Sequence, residues 1–141
     1  MAPAPPPPPR KLPLLEPGSA FYWTSGAEGA LRIQRCTACG TYQHPPFPHC
    51  AACGSEDVAP AAVSGKGRLA TYTINYEPWI PGLPVPFVFG VVELAEQREL
   101  YVFTNVLAPV DQVRHGMAVA VTFEPHEDVW LPMFRPEDAP A

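Results

Sequence analysis

Five short hydrophobic segments follow one another through the second half of the chain. Each is rich in β-branched or aromatic residues, and turn-forming residues separate it from the next. The segments are residues 68–76, 87–94, 100–107, 117–123 and 129–134. Short apolar segments that alternate with turns are typical of antiparallel β-structure. Between the third and fourth segments, residues 111–115 are predicted to form one helical turn that ends at Gly116.

Five strands with a small helix after the third predict a closed five-stranded barrel of the OB type, which we assign to residues 64–136. A β-sandwich is the alternative, although it usually has more strands. Pro132 lies inside the last segment and cannot donate a ladder hydrogen bond, so that segment is expected at an edge or a bulge. Residues 137–141 are assigned to a C-terminal tail.

The first 35 residues divide into two parts. Residues 1–18 hold eight prolines, five of them in the run Pro5–Pro9, and we expect a disordered arm. The alternative is a polyproline II ligand for a partner. Residues 19–35 are predicted to form a short N-terminal helix capped by Ser19, followed by a lead strand. The fold class is therefore mainly β, with one helix at the start.

All four cysteines lie in residues 36–63, in two CxxC pairs separated by ten residues. A glycine follows each pair and permits the tight backbone turn of a zinc knuckle. Four thiolates complete a tetrahedral structural Zn²⁺ site, with no open position for an activated water. The predicted ligands are Cys36, Cys39, Cys50 and Cys53. An iron–sulfur cluster is the alternative, less favoured by this spacing.

Composition restricts the classes of function. Only 16% of the 141 residues are charged, against roughly a quarter in a typical domain, so some apolar surface is expected to face a partner. Within residues 64–136, five basic residues stand against eight acidic ones, which argues against nucleic acid. The sequence has no membrane-length apolar run and no signal-peptide pattern, so we expect a cytoplasmic protein with thiols or metal ligands rather than disulfides.

The sequence gives little indication of catalysis. It contains no GxSxG, HExxH, P-loop or GxGxxG motif. His126, Glu127 and Asp128 are consecutive, and we interpret them as a polar turn before the last strand. We therefore expect no catalytic residues and no independent enzyme activity.

Three apolar segments are candidates for partner binding: the aromatic helix, the loop 77–86 with its four prolines, and the C-terminal segment. A stiff apolar loop loses little entropy when it binds, and aromatic residues, Met and Arg are enriched at interface cores. The candidates are Phe21, Tyr22, Trp23, Trp79, Ile80, Leu83, Trp130, Met133, Phe134 and Arg135. The alternative in each case is packing within the protein's own domain.

The order of motifs resembles an acyl-CoA-associated family with a rubredoxin-like zinc ribbon and an OB fold, long called a domain of unknown function. The resemblance covers about residues 19–136. The matching motifs are Arg35-Cys36-x-x-Cys39-Gly40, Pro45-Pro46, Cys50-x-x-Cys53-Gly54, Ser64-Gly65-Lys66-Gly67, residues 103–106, residues 116–119 and residues 132–136.

This resemblance implies an accessory subunit of a thiolase-superfamily enzyme in a hetero-oligomer, with the four cysteines as zinc ligands and no catalytic residue of its own. In archaeal relatives the domain bridges a thiolase and a synthase. In actinobacterial relatives it supports a thiolase-like aldolase in sterol side-chain degradation, and residues 127–132 resemble these members. Some relatives are fused to a hydratase-like domain, so the chain is either free-standing or part of a longer protein.

The leading hypothesis is thus a non-catalytic subunit that supports a thiolase-like acyl-CoA enzyme, an aldolase acting on a steroid side chain. The first alternative is an acyl-CoA carrier or bridging protein, in which Lys66, Arg68 or Arg135 would contact phosphate. The second is a single-strand nucleic-acid binder, which the acidic charge disfavours.

Overall fold

The computed structural model describes residues 3–138, and within them it contains one α-helix and eight strands. Helix α1 covers Ala20–Trp23, and a 3-10 turn follows at Ser25–Glu28. The strands are β1 (Arg32–Cys36), β2 (Tyr42–Gln43), β3 (Val58–Ala62), β4 (Lys66–Asn75), β5 (Phe87–Leu94), β6 (Tyr101–Val106), β7 (Ala118–His126) and β8 (Val129–Pro136). The prediction of a mainly β protein with a short N-terminal helix is confirmed.

The first three strands form the ribbon, a small antiparallel sheet in the order β2-β1-β3. β1 lies in the centre and pairs with β3 over its whole length, from Arg32 opposite Ala62 to Cys36 opposite Val58. On its other edge it pairs with the two residues of β2. This sheet holds the segments that carry the four cysteines.

The other five strands close into a barrel in the order β4-β5-β6-β8-β7, and β7 completes the circle by pairing with β4. β6 and β8 are parallel, with Val106 opposite Phe134, whereas the other strand pairs of the barrel are antiparallel. This is the five-stranded OB barrel that the sequence predicted, and the sandwich alternative is wrong because one sheet closes on itself.

Two local predictions differ from the structure. Pro132 lies in a part of β8 that pairs with β7, and the hydroxyl of Thr104 donates to its carbonyl oxygen at 3.0 Å from the other side. β8 lies between β7 and β6 in the closed barrel, so the edge strand expected from this proline is wrong, but the β6 ladder pairs only at Phe134 and requires no hydrogen bond from the Pro132 nitrogen. The helical turn predicted at 111–115 is instead a 3-10 turn at Val110–Gln112, and it ends because Val113 is extended.

The barrel interior follows the alternation of side chains along the strands. Inward-facing residues of β5 and β6 are buried, and outward-facing residues are half-buried or exposed. The inner layer is aliphatic around one aromatic ring and includes Leu69, Val88, Val92, Val102, Val119 and Phe134. Leu31 and Ile33 of the ribbon belong to the same buried cluster, so the two parts share a core.

The hairpin between β5 and β6 fixes the ribbon to the barrel. The side-chain amide of Gln97 accepts a hydrogen bond from the backbone N–H of Tyr42 and donates one to its carbonyl oxygen, both at 2.9 Å. Beside it, the carboxylate of Glu96 accepts a hydrogen bond from the backbone N–H of Ser64. These contacts position β2, and with it the cysteine loops, next to the outer face of β6.

The described part of the N-terminal arm contacts the barrel, which its composition did not predict. The guanidinium of Arg10 donates to the carboxylate of Glu124 at 2.7 and 3.2 Å and to the side-chain oxygen of Asn105 at 2.8 Å. Leu12 packs against the buried residues Val129, Leu131 and Met133. An ion pair and an apolar contact therefore hold the arm against the barrel.

Candidate metal centre and partner surface

The two CxxC loops form knuckles with the same backbone hydrogen bond. The backbone N–H of Gly40 donates to the carbonyl of Cys36, and that of Gly54 donates to the carbonyl of Cys50, both at 2.8 Å. The two glycines have φ of 80° and 78°, a left-handed conformation that a residue with a Cβ adopts only with strain. Each loop thereby turns its two sulfurs toward the other loop.

The four sulfurs meet at one point. All lie within 4.8 Å of one another, and the Sγ–Sγ distances are 3.6 Å for Cys36 with Cys53 and for Cys39 with Cys50. Tetrahedral zinc with Zn–S bonds of about 2.3 Å separates its sulfurs by about 3.8 Å. The backbone N–H of Cys39 also lies 3.4 Å from the sulfur of Cys36. The donor set and its spacing fit a structural zinc ion.

The thiols do not carry equal proton affinities. The side-chain and backbone hydrogen bonds of Thr41 lower the pKa of Cys39 to about 6. The backbone hydrogen bond at Ser55 lowers the pKa of Cys53, but the other three sulfurs and desolvation together outweigh it and raise that pKa to about 12. Four adjacent thiolates repel one another, so they are stable together only around a cation.

His49 is exposed, and its ring packs edge-on against Phe47, 5.0 Å away.

Three of the predicted partner-binding residues lie in the interior. Tyr22, Met133 and Phe134 are buried, and Tyr22 and Phe134 belong to the main hydrophobic core. Met133 and Phe134 are packed inside the fold, so their assignment to a partner surface is corrected: they stabilise the chain itself. Tyr22 is also a core residue, and the 4% of it that is exposed lines the groove described below. Phe134 faces the barrel interior, whereas Met133 lies on the other side of β8, where α1 and the following 3-10 turn pack.

The other candidates differ in accessibility. Trp79 is 74% exposed, and Ile80 and Leu83 beside it are half-buried. Phe21 and Trp23 are half-buried on α1. Trp130 covers Gly26, where an added Cβ would lie 2.5 Å from the Cβ of Trp130.

Arg135 is half-buried and donates to the hydroxyl of Thr122 at 2.8 Å. Its guanidinium is therefore bonded within the barrel.

The two phosphate candidates carry carboxylate partners. The ammonium group of Lys66 lies 3.1 Å from a carboxylate oxygen of Glu137, and the guanidinium of Arg68 lies 3.2 Å from one of Glu93. Both cations are exposed, so these ion pairs are weak. A phosphate at this site would have to displace the carboxylates.

The structure adds three residues that the sequence analysis missed. Phe89, Tyr101 and Phe103 are exposed on the outer face of β5 and β6, where a solvated barrel strand normally carries polar side chains. The rings of Phe89 and Phe103 are in edge contact, with centroids 6.0 Å apart. Apolar side chains occupy both the odd and the even positions of the segments FVFGVVEL and LYVFTNVL. Because alternate residues of a strand face opposite sides, that pattern could have predicted a second apolar face.

A groove of about 510 Å³ adjoins these rings where the helix, the ribbon and β6 meet. Tyr101 and Phe103 form one wall, and the lining residues of the other walls are Ser19, Tyr22, Trp23, His44, Pro45 and Pro46. The ring of Tyr22 stacks on that of His44 at 4.5 Å, at the base of the groove. No charged side chain is among these lining residues.

Comparisons with known proteins place this architecture in one family. The profile of the ChsH2 rubredoxin-like zinc ribbon domain matches residues 23–59, and that of the ChsH2 C-terminal OB-fold domain matches residues 61–124. A solved structure entitled "Ltp2-ChsH2(DUF35) aldolase" contains a chain that is 34% identical, with a TM-score of 0.79, over 89% of this chain and 98% of that one. The chain belongs to the ChsH2 family.

Two curated relatives are longer proteins. One, from Thermomonospora curvata, is named "Probable enoyl-CoA hydratase alpha subunit" and is 35% identical over 90% of this chain. The other, from Mycobacterium tuberculosis, is named "3-oxo-4,17-pregnadiene-20-carboxyl-CoA hydratase alpha subunit" and is 32% identical over 85% of this chain. The chain spans 40% and 38% of their lengths.

A Sulfolobus solfataricus protein of unknown function from the DUF35 family shares the fold, with a TM-score of 0.61 at 14% identity, over 86% of each chain. The expected resemblance to a zinc-ribbon and OB-fold family is thus confirmed. Among residues 3–138, no helix is long and apolar enough to cross a membrane.

A largely buried cluster of ionisable groups lies where the arm meets the barrel. His126 Nε2 lies 2.7 Å from the carboxylate of Glu124, which also binds Arg10. Burial raises the pKa of Glu124, but the hydrogen bonds from Arg10 and His126 outweigh it, and the pKa is lowered. The carboxylate is therefore an anion saturated with hydrogen bonds, a structural role.

His44 gives the stability of the chain a predictable dependence on pH. Burial lowers its pKa to about 4, against an ordinary value of 6.5, so the unfolded chain takes up this proton first as the pH falls. Stability from the neutral ring is present above pH 6.5 and is lost on acidification toward pH 4. The expected loss is about 1.4 kcal/mol per pH unit in that window.

The measurement is urea denaturation at pH 7.0 and pH 5.5. His44→Gln is expected to flatten the difference between the two unfolding free energies, whereas His49→Gln, at an exposed histidine of the same loop, should leave it unchanged. Equal pH dependence in wild type and His44→Gln would show that this ring does not contribute.

Proposed function

We propose that this chain is a non-catalytic accessory subunit that binds and supports a thiolase-like acyl-CoA enzyme, an aldolase that cleaves a steroid side-chain acyl-CoA. The observation that carries the proposal is the match to the ChsH2(DUF35) chain of the Ltp2-ChsH2 aldolase, of which this chain covers 98%. The name of that aldolase joins a ChsH2 chain with a second protein, Ltp2. The steroid acyl-CoA substrate class comes from the name of the mycobacterial relative.

The chemistry of the site supports an accessory role. Four thiolates fill the coordination sphere of a zinc ion and leave no position for substrate or activated water, so the metal stabilises the ribbon rather than reacting. The buried charged cluster at Glu124 is held by Arg10 and lies beneath the arm. The catalytic groups would then come from the partner, and this chain would contribute a rigid surface.

Co-expression with the Ltp2 subunit of that aldolase tests the proposal. We expect the two chains to purify as a hetero-oligomer by gel filtration. We also expect the carbon–carbon cleavage rate of Ltp2 on a steroid side-chain acyl-CoA to fall at least tenfold when this chain is omitted. An Ltp2 preparation that is soluble and fully active alone, and that does not bind this chain, would refute the proposal.

An acyl-CoA carrier is the competing function, and titration calorimetry separates the two. Lys66 and Arg68 would bind the CoA phosphates in that case, at the expense of their pairs with Glu137 and Glu93. Heat of binding between acyl-CoA and this chain alone would favour a carrier. Binding that requires the partner subunit would favour the accessory role.

A further inference from the structure

The outer face of β5 and β6 carries an unusual set of side chains for a barrel in water. Phe103, Tyr101 and Phe89 are 69%, 41% and 40% exposed. Phe103 lies opposite Val91, and Phe89 lies opposite Asn105, so the two phenylalanines occupy neighbouring positions on the same face of the pair. We call these three residues the aromatic face.

The aromatic face is continuous with the groove beside α1. Tyr101 and Phe103 belong to both, and the opposite wall presents Trp23 and Pro46. The side chains lining the groove are uncharged, so a charged ligand would lose its hydration there without gaining a counter-charge. The surface therefore suits an apolar, uncharged occupant.

The exposed area is large enough for a stable interface. With side chains of roughly 200 Å² each, the three rings expose on the order of 300 Å². The loop that joins β4 to β5 ends just before Phe87, and its residues Tyr76 and Trp79, 68% and 74% exposed, expose about 300 Å² more. Together these five rings expose about 600 Å², the lower limit of what each partner buries in a stable protein interface.

The protein's own arm lies mainly along β7 and reaches the border of the aromatic face at Asn105, which accepts a hydrogen bond from Arg10 and lies opposite Phe89. Ala4, Pro5 and Pro7 lie beside residues 122–125 of β7, and Arg10 is bonded to Glu124. Within the described residues, apolar chain thus shields β7 and β8, while the aromatic face stays open. Exposed apolar patches of this size on a soluble domain usually mark an interaction surface.

We propose that the aromatic face and the adjoining groove are the docking surface for the catalytic subunit, and that they receive an apolar, uncharged surface of that subunit. This inference rests on the proposed function and adds the location of the contact. Single-stranded nucleic acid also stacks on aromatic residues of OB barrels, but it requires cations beside the rings. Here the nearby cation Arg68 is paired with Glu93.

Point variants of the full chain test the location. Phe103→Ser and Tyr101→Ser remove exposed rings, and Phe47→Ser removes a 53% exposed ring from the ribbon as the matched control. Each tagged variant is co-expressed with the Ltp2 subunit, and capture and affinity are measured. We expect binding at least tenfold weaker for Phe103→Ser and Tyr101→Ser, with wild-type affinity for Phe47→Ser. Thermal denaturation checks that all three variants are folded.

Each other result overturns a defined part of the proposal. If wild type and Phe103→Ser bind Ltp2 equally, the surface is wrong while the accessory role stands. If wild type does not bind Ltp2, the proposed function fails and this docking surface fails with it. If wild type alone forms a dimer that Phe103→Ser abolishes, the occupant is a second copy. Oligonucleotide binding that Phe103→Ser abolishes would assign the face to nucleic acid.

Discussion

Replacing Cys36 by serine is expected to unfold the ribbon and to reduce bound zinc from one ion per chain to nearly none. Zinc binding to such four-thiolate sites contributes about 10–16 kcal/mol, comparable with or greater than the whole stability of a small domain. Between Cys36 and Val63, the buried apolar residues are those two and Cys50, so the ribbon has little core to replace the ion. Elemental analysis and circular dichroism measure the two effects.

Ala38→Ser provides the matched control for this variant. It places the same hydroxyl in the same knuckle at an exposed position, and it should keep the zinc and the melting temperature. In Cys36→Ser, by contrast, the barrel is also expected to lose part of its stability. Cys36 ends β1, and Ile33 of that strand lies in the core that the ribbon shares with the barrel. Full zinc content in Cys36→Ser, or an unchanged melting curve after chelation, would contradict a four-thiolate structural site.

The metal centre and the barrel strands could be predicted from the sequence because their determinants are local. A CxxC pair followed by glycine specifies its knuckle within five residues, and the structure shows the expected positive φ at Gly40 and Gly54. The strands could be found from apolar segments and turns. The edge strand expected at Pro132 is an exception, because β8 is enclosed between β7 and β6 in the closed barrel.

Contacts between distant parts of the chain could not be predicted in this way. The ion pair of Arg10 with Glu124 joins residues 114 positions apart, and nothing near either residue indicates the other. The composition of the arm predicts disorder, because prolines lack local hydrogen bonds. The charge at position 10 becomes informative only once the barrel has placed Glu124 and Asn105 side by side.

The same reason explains which apolar residues were assigned wrongly. Met133 and Phe134 were assigned to a partner surface because aromatic residues and Met are enriched at interface cores, and they lie in a segment that is apolar at both phases, as β5 and β6 are. In the structure, α1 covers the outer side of β8, whereas the outer face of β5 and β6 remains exposed. Sequence periodicity detects two apolar faces, but only tertiary packing determines which of them is covered.

Phe134→Ala is expected to destabilise the barrel by about 3–5 kcal/mol, a decrease in melting temperature on the order of 10–20 °C. The ring is fully buried, at the junction where β8 meets β6 in parallel. The carbonyl of the same residue accepts a hydrogen bond from the backbone N–H of Leu107 at 2.7 Å. Truncation removes the largest fully buried side chain and leaves a cavity that this closed barrel cannot collapse to fill.

Phe103→Ala is the control, since it deletes the same atoms from an exposed position. Its unfolding free energy should stay within about 0.5 kcal/mol of wild type, and the measurement for both variants is urea or thermal denaturation. Equal losses for the two would mean that the aromatic face is part of the core. Unequal losses, together with weaker Ltp2 binding only for substitutions at Phe103, would separate the two roles: Phe134 supports the fold, and Phe103 contacts the partner. The two phenylalanines are chemically identical, and their difference in role follows from which side of the barrel wall each one faces.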